Sequence, residues 1–145
     1  MGRIYTSIEI DRPPEEVFDY TTTPANWPAW HASALSIEGP QDHSLAPGES
    51  VAEELKVAGR RSRAIWTVQE REAPHHWVIT GTVAGGGDST ITYTAEARPG
   101  GTTFTREVIY TLPRLLAMAD GLIVRRRLET EAEESLRRLK VLLEQ

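Results

Sequence analysis

The chain has 145 residues, 39% of them hydrophobic and 26% charged, a length and composition that fit one globular domain and lack the signatures of disorder, collagen-like repeats or a disulfide scaffold. Its 16 basic and 21 acidic residues give a formal charge of -5, which on average repels phosphate backbones and anionic lipid surfaces, so no nucleic acid is expected as a partner. There is no cysteine, which excludes disulfides, thiolate zinc sites and a cysteine nucleophile.

No apolar run approaches the roughly 18 residues of a membrane-spanning helix, and the alternating start MGRIYTSIEID lacks the basic-then-apolar order of a signal peptide. The expectation is a cytoplasmic protein without membrane insertion, folded as a single domain over residues 1–145. Arg3 to Asp11 places Ile4, Thr6, Ile8 and Ile10 on one side and Tyr5, Ser7 and Glu9 on the other, the period-2 pattern of a half-buried strand. In DRPPEEVFDYTTTP, Asp11 can cap a short helix around Glu15–Tyr20, with prolines in the opening turn and Glu15 and Glu16 at the positive end of its dipole. The stretch Thr21–Trp30 is too interrupted by proline for a long helix and too aromatic for a plain loop, and predicts a second short helix or turn over apolar neighbours.

Strands punctuated by turns follow: a segment within Ala32–Glu38, then Ser50–Val57, Arg60–Glu72, His76–Val83, Ser89–Arg98 and Thr102–Leu112. The breaks between strands from Ser50 onward are short and contain glycine or proline, which predicts an antiparallel meander. From Leu115 to Glu144 the pattern is helical, with Leu115, Met118, Ala119 and Leu122 on one stripe and Leu128, Ala132, Leu136, Leu139 and Leu143 on another; Gly121 between them predicts a bend or a change of partner. Such a helix is about 10 Å wide. A seven-stranded sheet is close to 30 Å across at about 4.8 Å per strand, so the sheet must curl around the helix or leave much of its apolar face wet. The gap inside that curl is a natural site for a small apolar molecule, with a solidly packed core as the competing outcome.

Ser7-Ile8-Glu9-Ile10, then Pro13-Pro14-Glu15-Glu16-Val17-Phe18-Asp19-Tyr20, and a proline and tryptophan pair ending at Trp30 open the chain. Gly101-Thr102-Thr103-Phe104-Thr105 and Leu136-Arg137-Arg138-Leu139-Lys140 close it. Over essentially its whole length this pattern resembles the SRPBCC superfamily of START-like, helix-grip proteins, and most closely its polyketide cyclase/dehydrase-like branch. The resemblance implies an α+β helix-grip fold, with a curved seven-stranded antiparallel sheet wrapped around a long C-terminal helix, two short helices after the first strand, and a hydrophobic cavity. It does not single out one reaction, because the superfamily includes aromatase/cyclases, lipid and hormone carriers, and ATPase-activating co-chaperones.

His75 and His76 are adjacent and so point to opposite faces of a strand, and His31 and His43 lie in unrelated segments; no metal site and no cofactor is expected. Gly85-Gly86-Gly87-Asp88 joins two strands and lacks the following helix of a phosphate cradle. Trp66, Trp77, Tyr93, Phe104 and Tyr110 share strand faces with apolar neighbours and are expected to point toward the helix, as core or as cavity wall. Arg106 alternates with Phe104, Val108 and Tyr110, which places a guanidinium on the apolar face, and Glu54 is placed inward with Ala52. No histidine is expected to face inward. The candidate ligand-binding set is therefore Trp66, Trp77, Tyr93, Phe104, Arg106, Tyr110, Met118 and Leu122, with no catalytic residue assigned. The leading expectation is binding of a hydrophobic lipid, aromatic or polyketide-like molecule. A cyclase/dehydrase-type enzyme and an ATPase-activator-like interaction module are the alternatives, and a homodimer is left open.

Overall fold

A computed structural model describes residues 1–57, 59–112 and 121–145. In chain order the elements are β1 (Gly2–Ile10), α1 (Pro14–Thr22), a 3-10 turn (Pro24–Asn26), α2 (Trp27–Trp30), β2 (Ala34–Glu38), β3 (Ser50–Val57), β4 (Arg60–Glu72), β5 (His76–Val83), β6 (Gly87–Arg98), β7 (Gly101–Thr111) and the long helix α3 (Gly121–Leu143). The strands form one seven-stranded sheet in the order β1-β7-β6-β5-β4-β3-β2. Every neighbouring pair is antiparallel. This is the expected α+β helix-grip arrangement. None of the described helices is long and apolar enough to cross a membrane.

Local chemistry sets the boundaries. The period-2 pattern of β1 is realised with Ile4 and Ile10 buried and Tyr5, Ser7 and Glu9 exposed. Helix α1 starts at Pro14, with Pro13 extended before it and Glu15 and Glu16 in the first turn, and no side chain caps it. The expected Asp11 cap is therefore a correction: the Asp11 carboxylate accepts from Arg98 Nη2 at 2.9 Å and its backbone N–H donates to Glu144 Oε2 at 2.9 Å. Strands β3, β4 and β5 have the predicted bounds, while β6 begins at Gly87 because Gly87 still pairs with Val83. The part of the predicted helix before Gly121, Met118 included, lies outside the described residues.

Helix α3 packs mainly on β1 and α2. Lys140 Nζ donates to the Glu9 carbonyl at 2.6 Å, and the Ala32 N–H donates to Ser135 Oγ at 2.9 Å, which fixes the second half of the helix at the end of β1 and beside α2. Val124, Ala132, Ser135, Leu136 and Leu139 form its buried stripe. Between helix and sheet the interior has two unlike halves. One is filled by Trp27, Trp30, Trp77, Tyr93 and Phe104, all essentially inaccessible to solvent. Their rings meet in tilted and edge-on contacts, such as Trp77 to Tyr93 at 5.2 Å and Tyr93 to Phe104 at 5.3 Å between centroids. The other half is left open by the described residues.

Candidate functional site

In the unfilled half lies a cavity of about 130 Å³, far more than the roughly 10–15 Å³ that one water requires. Its apolar wall comes from Trp66, Ile79, Ile91 and Val108 on four successive strands and from Leu128 and Ala132 on α3. The Trp66 indole lies across Gly81, its partner on β5, where a Cβ would collide with the ring. A missing side chain on β5 thus makes the room in which Trp66 becomes a flat piece of wall.

Among the polar side chains that line this space are Arg106 from β7, Glu53 from β3, and His31 from the end of α2. Arg106 stands in register with Thr6 and Tyr93 on the strands to either side. Its Nε is buried and has no hydrogen-bond partner, an arrangement that costs free energy until something fills it. Glu53 is only 3% exposed. One of its oxygens, Oε1, accepts from Trp66 Nε1 at 2.9 Å, while Oε2 is buried without a partner. Burial pushes the Glu53 carboxyl up to about 7, against the opposing pull of the Trp66 hydrogen bond and the Arg106 charge.

His31 closes α2, with its backbone N–H donating to the Trp27 carbonyl at 2.8 Å. Its ring is stacked on Trp27 and edge-on to Trp30 at 4.0 Å between centroids. Nε2 shares a 2.9 Å hydrogen bond with the Tyr93 hydroxyl. Burial, reinforced by the Arg106 charge, holds the imidazole well below its ordinary value, so it is neutral near pH 7. Burial also pushes the Tyr93 phenol up to about 12, so it keeps its proton. Among the described residues, the interior of the site therefore combines the Arg106 guanidinium, a carboxyl that changes charge near neutrality, and a neutral histidine–tyrosine pair.

Of the residues expected from the sequence, Trp66, Arg106 and Tyr110 line the cavity. Trp77, Tyr93 and Phe104 belong to the aromatic packing beside it, with Tyr93 reaching the site through His31. Leu122 is 59% exposed. It lies about 200° around the helix from Val124, at 3.6 residues per turn, so the stripe that buries Val124 turns Leu122 outward. Two further expectations are corrected. Glu53, not Glu54, is the inward carboxylate of β3, since Val51 and Leu55 fix the buried phase and Glu54 pairs outside with Arg61 at 3.2 Å. And one histidine, His31, does face the interior. Among the described residues no group of three or more histidine, aspartate or glutamate side chains is arranged to hold a metal ion.

A family model described as "Polyketide cyclase / dehydrase and lipid transport" matches residues 1–144. No functionally curated protein matches the chain in sequence. Solved structures with a similar fold include a Chromobacterium violaceum protein, 16% identical with a TM-score of 0.78, where 100% of this chain and 99% of that one are covered. A Rhodobacter sphaeroides protein is 22% identical with a TM-score of 0.72, covering 97% and 91%. DynU16, from the dynemicin biosynthetic locus, is 17% identical with a TM-score of 0.71, covering 98% of this chain and 47% of that one. At these identities the likeness is one of fold.

Proposed function

Because the chain belongs to the polyketide cyclase/dehydrase and lipid transport family, we propose that it binds a small, largely apolar molecule bearing an oxygen function in the cavity between sheet and helix. The observation that carries this reading is the unpartnered, buried Nε of Arg106 in a largely apolar chamber. A planar guanidinium offers paired donors to a carbonyl or carboxylate, a geometry that lysine does not reproduce. Trp66 and Tyr110 supply aromatic wall, while Trp77 and Phe104 pack with Tyr93 beside the chamber.

Native mass spectrometry of the protein purified under mild conditions is expected to show a bound small molecule. A neutral naphthylamine dye is expected to receive energy from Trp66, with less transfer in Trp66→Phe. Arg106→Lys is expected to keep the fold and to weaken ligands with a carbonyl or carboxylate more than pure hydrocarbons. Equal weakening of both classes would assign Arg106 a structural role, and absence of both bound mass and dye binding would rule out the reading.

A cyclase/dehydrase-type reaction is the second reading, and Glu53 favours it. A carboxyl that gains and loses a proton near pH 7, in one chamber with a guanidinium able to polarise a carbonyl, has the makings of an acid–base centre. Product analysis with a poly-β-ketone substrate tests it: the enzyme reading requires ring products that disappear in Glu53→Gln.

A further inference from the structure

Arg106 Nε and Glu53 Oε2 are complementary vacancies: both atoms are buried, both lack partners, and both residues line the same cavity. Strands β4, β5 and β6 separate β3 from β7 in the sheet, so the two groups reach the chamber from opposite flanks of its curl. The remaining titratable side chains around the chamber are differently placed. His31 and Tyr93 are bonded to each other, and the Tyr93 hydroxyl also meets the Arg106 guanidinium, whose Nε is the part left without a partner. Lys56 and Asp88 are exposed at the rim, Tyr110 is half-buried with its ring over Gly2, and half-buried Glu131 faces Arg127 at 3.8 Å. Among the described residues, Glu53 is thus the buried carboxyl that shares the chamber with the buried Nε of Arg106.

With Glu53 ionised, the pair of Arg106 and Glu53 brings one positive and one negative charge to the chamber. A neutral ligand leaves that balance alone. A carboxylate placed on Arg106 adds a second negative charge inside a low-dielectric space, where two carboxylates near one cation do not both stay ionised. It also screens Glu53 from the guanidinium, whose charge is one of the two influences that favour the ionised form. Resting on the binding reading above, we propose that the ligand is an apolar carboxylate whose anionic end seats on Arg106 and which enters together with one proton from solvent that settles on Glu53 Oε2. One O–H bond forms, none breaks within the protein, and the chamber keeps the same net charge before and after. The new O–H gives Oε2 a donor to offer the ligand's oxygens, so both vacancies are filled in one step. A phosphate dianion would leave the chamber with an uncompensated charge, which is why a carboxylate is the anion that fits.

The test is isothermal calorimetry of the whole chain with cinnamate and decanoate as probes, and with the corresponding amides as neutral counterparts, in buffers of different ionisation enthalpy. At about pH 8 the carboxylates are expected to bind with uptake of close to one proton each, and their affinity to fall about tenfold per pH unit above pH 7 while levelling off below it. The amides should show neither effect. Glu53→Gln keeps an acceptor for Trp66 Nε1 and should bind the carboxylates with no proton uptake and a flat profile, whereas Glu131→Gln should behave as the wild type. Carboxylate binding without proton uptake, uptake that survives in Glu53→Gln, or binding of the amides but not of the carboxylates would each overturn the proposal and leave cavity binding standing. If none of the four probes binds, both fall. The wild-type measurement decides the point by itself even if a variant fails to fold.

Discussion

Tyr93 and His31 show how a single hydroxyl organises the buried polar atoms beside the cavity. The imidazole is neutral and enclosed, and the phenol is the partner of its Nε2. Tyr93→Phe preserves the ring that packs against Trp77 and Phe104 but leaves that nitrogen buried and unpaired. A loss of about 1–3 kcal/mol is expected in urea denaturation, the usual cost of orphaning a buried polar group; a change within a few tenths of a kcal/mol would mean that the hydrogen bond does not hold His31 in place. The sequence makes some of these residues readable and others not. Arg106 is legible because Phe104 and Val108 bracket it. Glu53 is equally bracketed by Val51 and Leu55, and a comparison of the two phases of β3 favours it over Glu54, whose phase holds Ala52 and Lys56. His31 follows Trp27 by four residues, the spacing of one helical turn, but only the burial of α2 as a whole turns that spacing into an interior histidine.

At the scale of elements, strands are the most legible part of the chain, because alternation and glycine-bearing turns are local signals. Which half of the interior is filled is not local. It depends on where Trp27 and Trp30 dock and on the pairing that sets Gly81 opposite Trp66, neither of which a single segment encodes. Gly81 offers a direct handle on that contact. In Gly81→Ala the added methyl meets the Trp66 indole and the Ile65 carbonyl, and of the two only the indole can yield. Tipping Trp66 inward fills part of the cavity and strains its hydrogen bond to Glu53. The expected outcome is a destabilisation of about 1–3 kcal/mol, typical of overpacking, together with a shifted tryptophan emission and weaker dye binding. Unchanged dye affinity in a folded variant would show that Trp66 is not part of the binding wall.

For the molecule as a whole, Glu53 and His31, the buried groups described at the cavity whose titration bears on stability up to neutral pH, act on it with opposite signs. Glu53 has its carboxyl raised from 4.5 to about 7 in the folded protein. Between those values the native state keeps a proton that the unfolded chain releases, so this contribution is fully present below pH 4.5 and is lost as pH rises to about 7. Its size across that window is about 3 kcal/mol, at 1.4 kcal/mol per pH unit. His31 is lowered well below 6.5, so below pH 6.5 the unfolded chain binds a proton that the native state refuses, and stability from this group rises with pH up to about 6.5. The two slopes oppose each other through most of the window and flatten the profile. Glu53→Gln removes the falling component alone. Chemical denaturation from pH 4.5 to 7.5 is therefore expected to show the stability of wild type relative to Glu53→Gln declining by about 3 kcal/mol between pH 4.5 and 7, with no further change above. The variant should show the rising His31 component unmasked up to pH 6.5. Parallel profiles for the two proteins would mean that Glu53 ionises in the native state as it does in the unfolded chain, and the charge balance inferred for the cavity would fail with it.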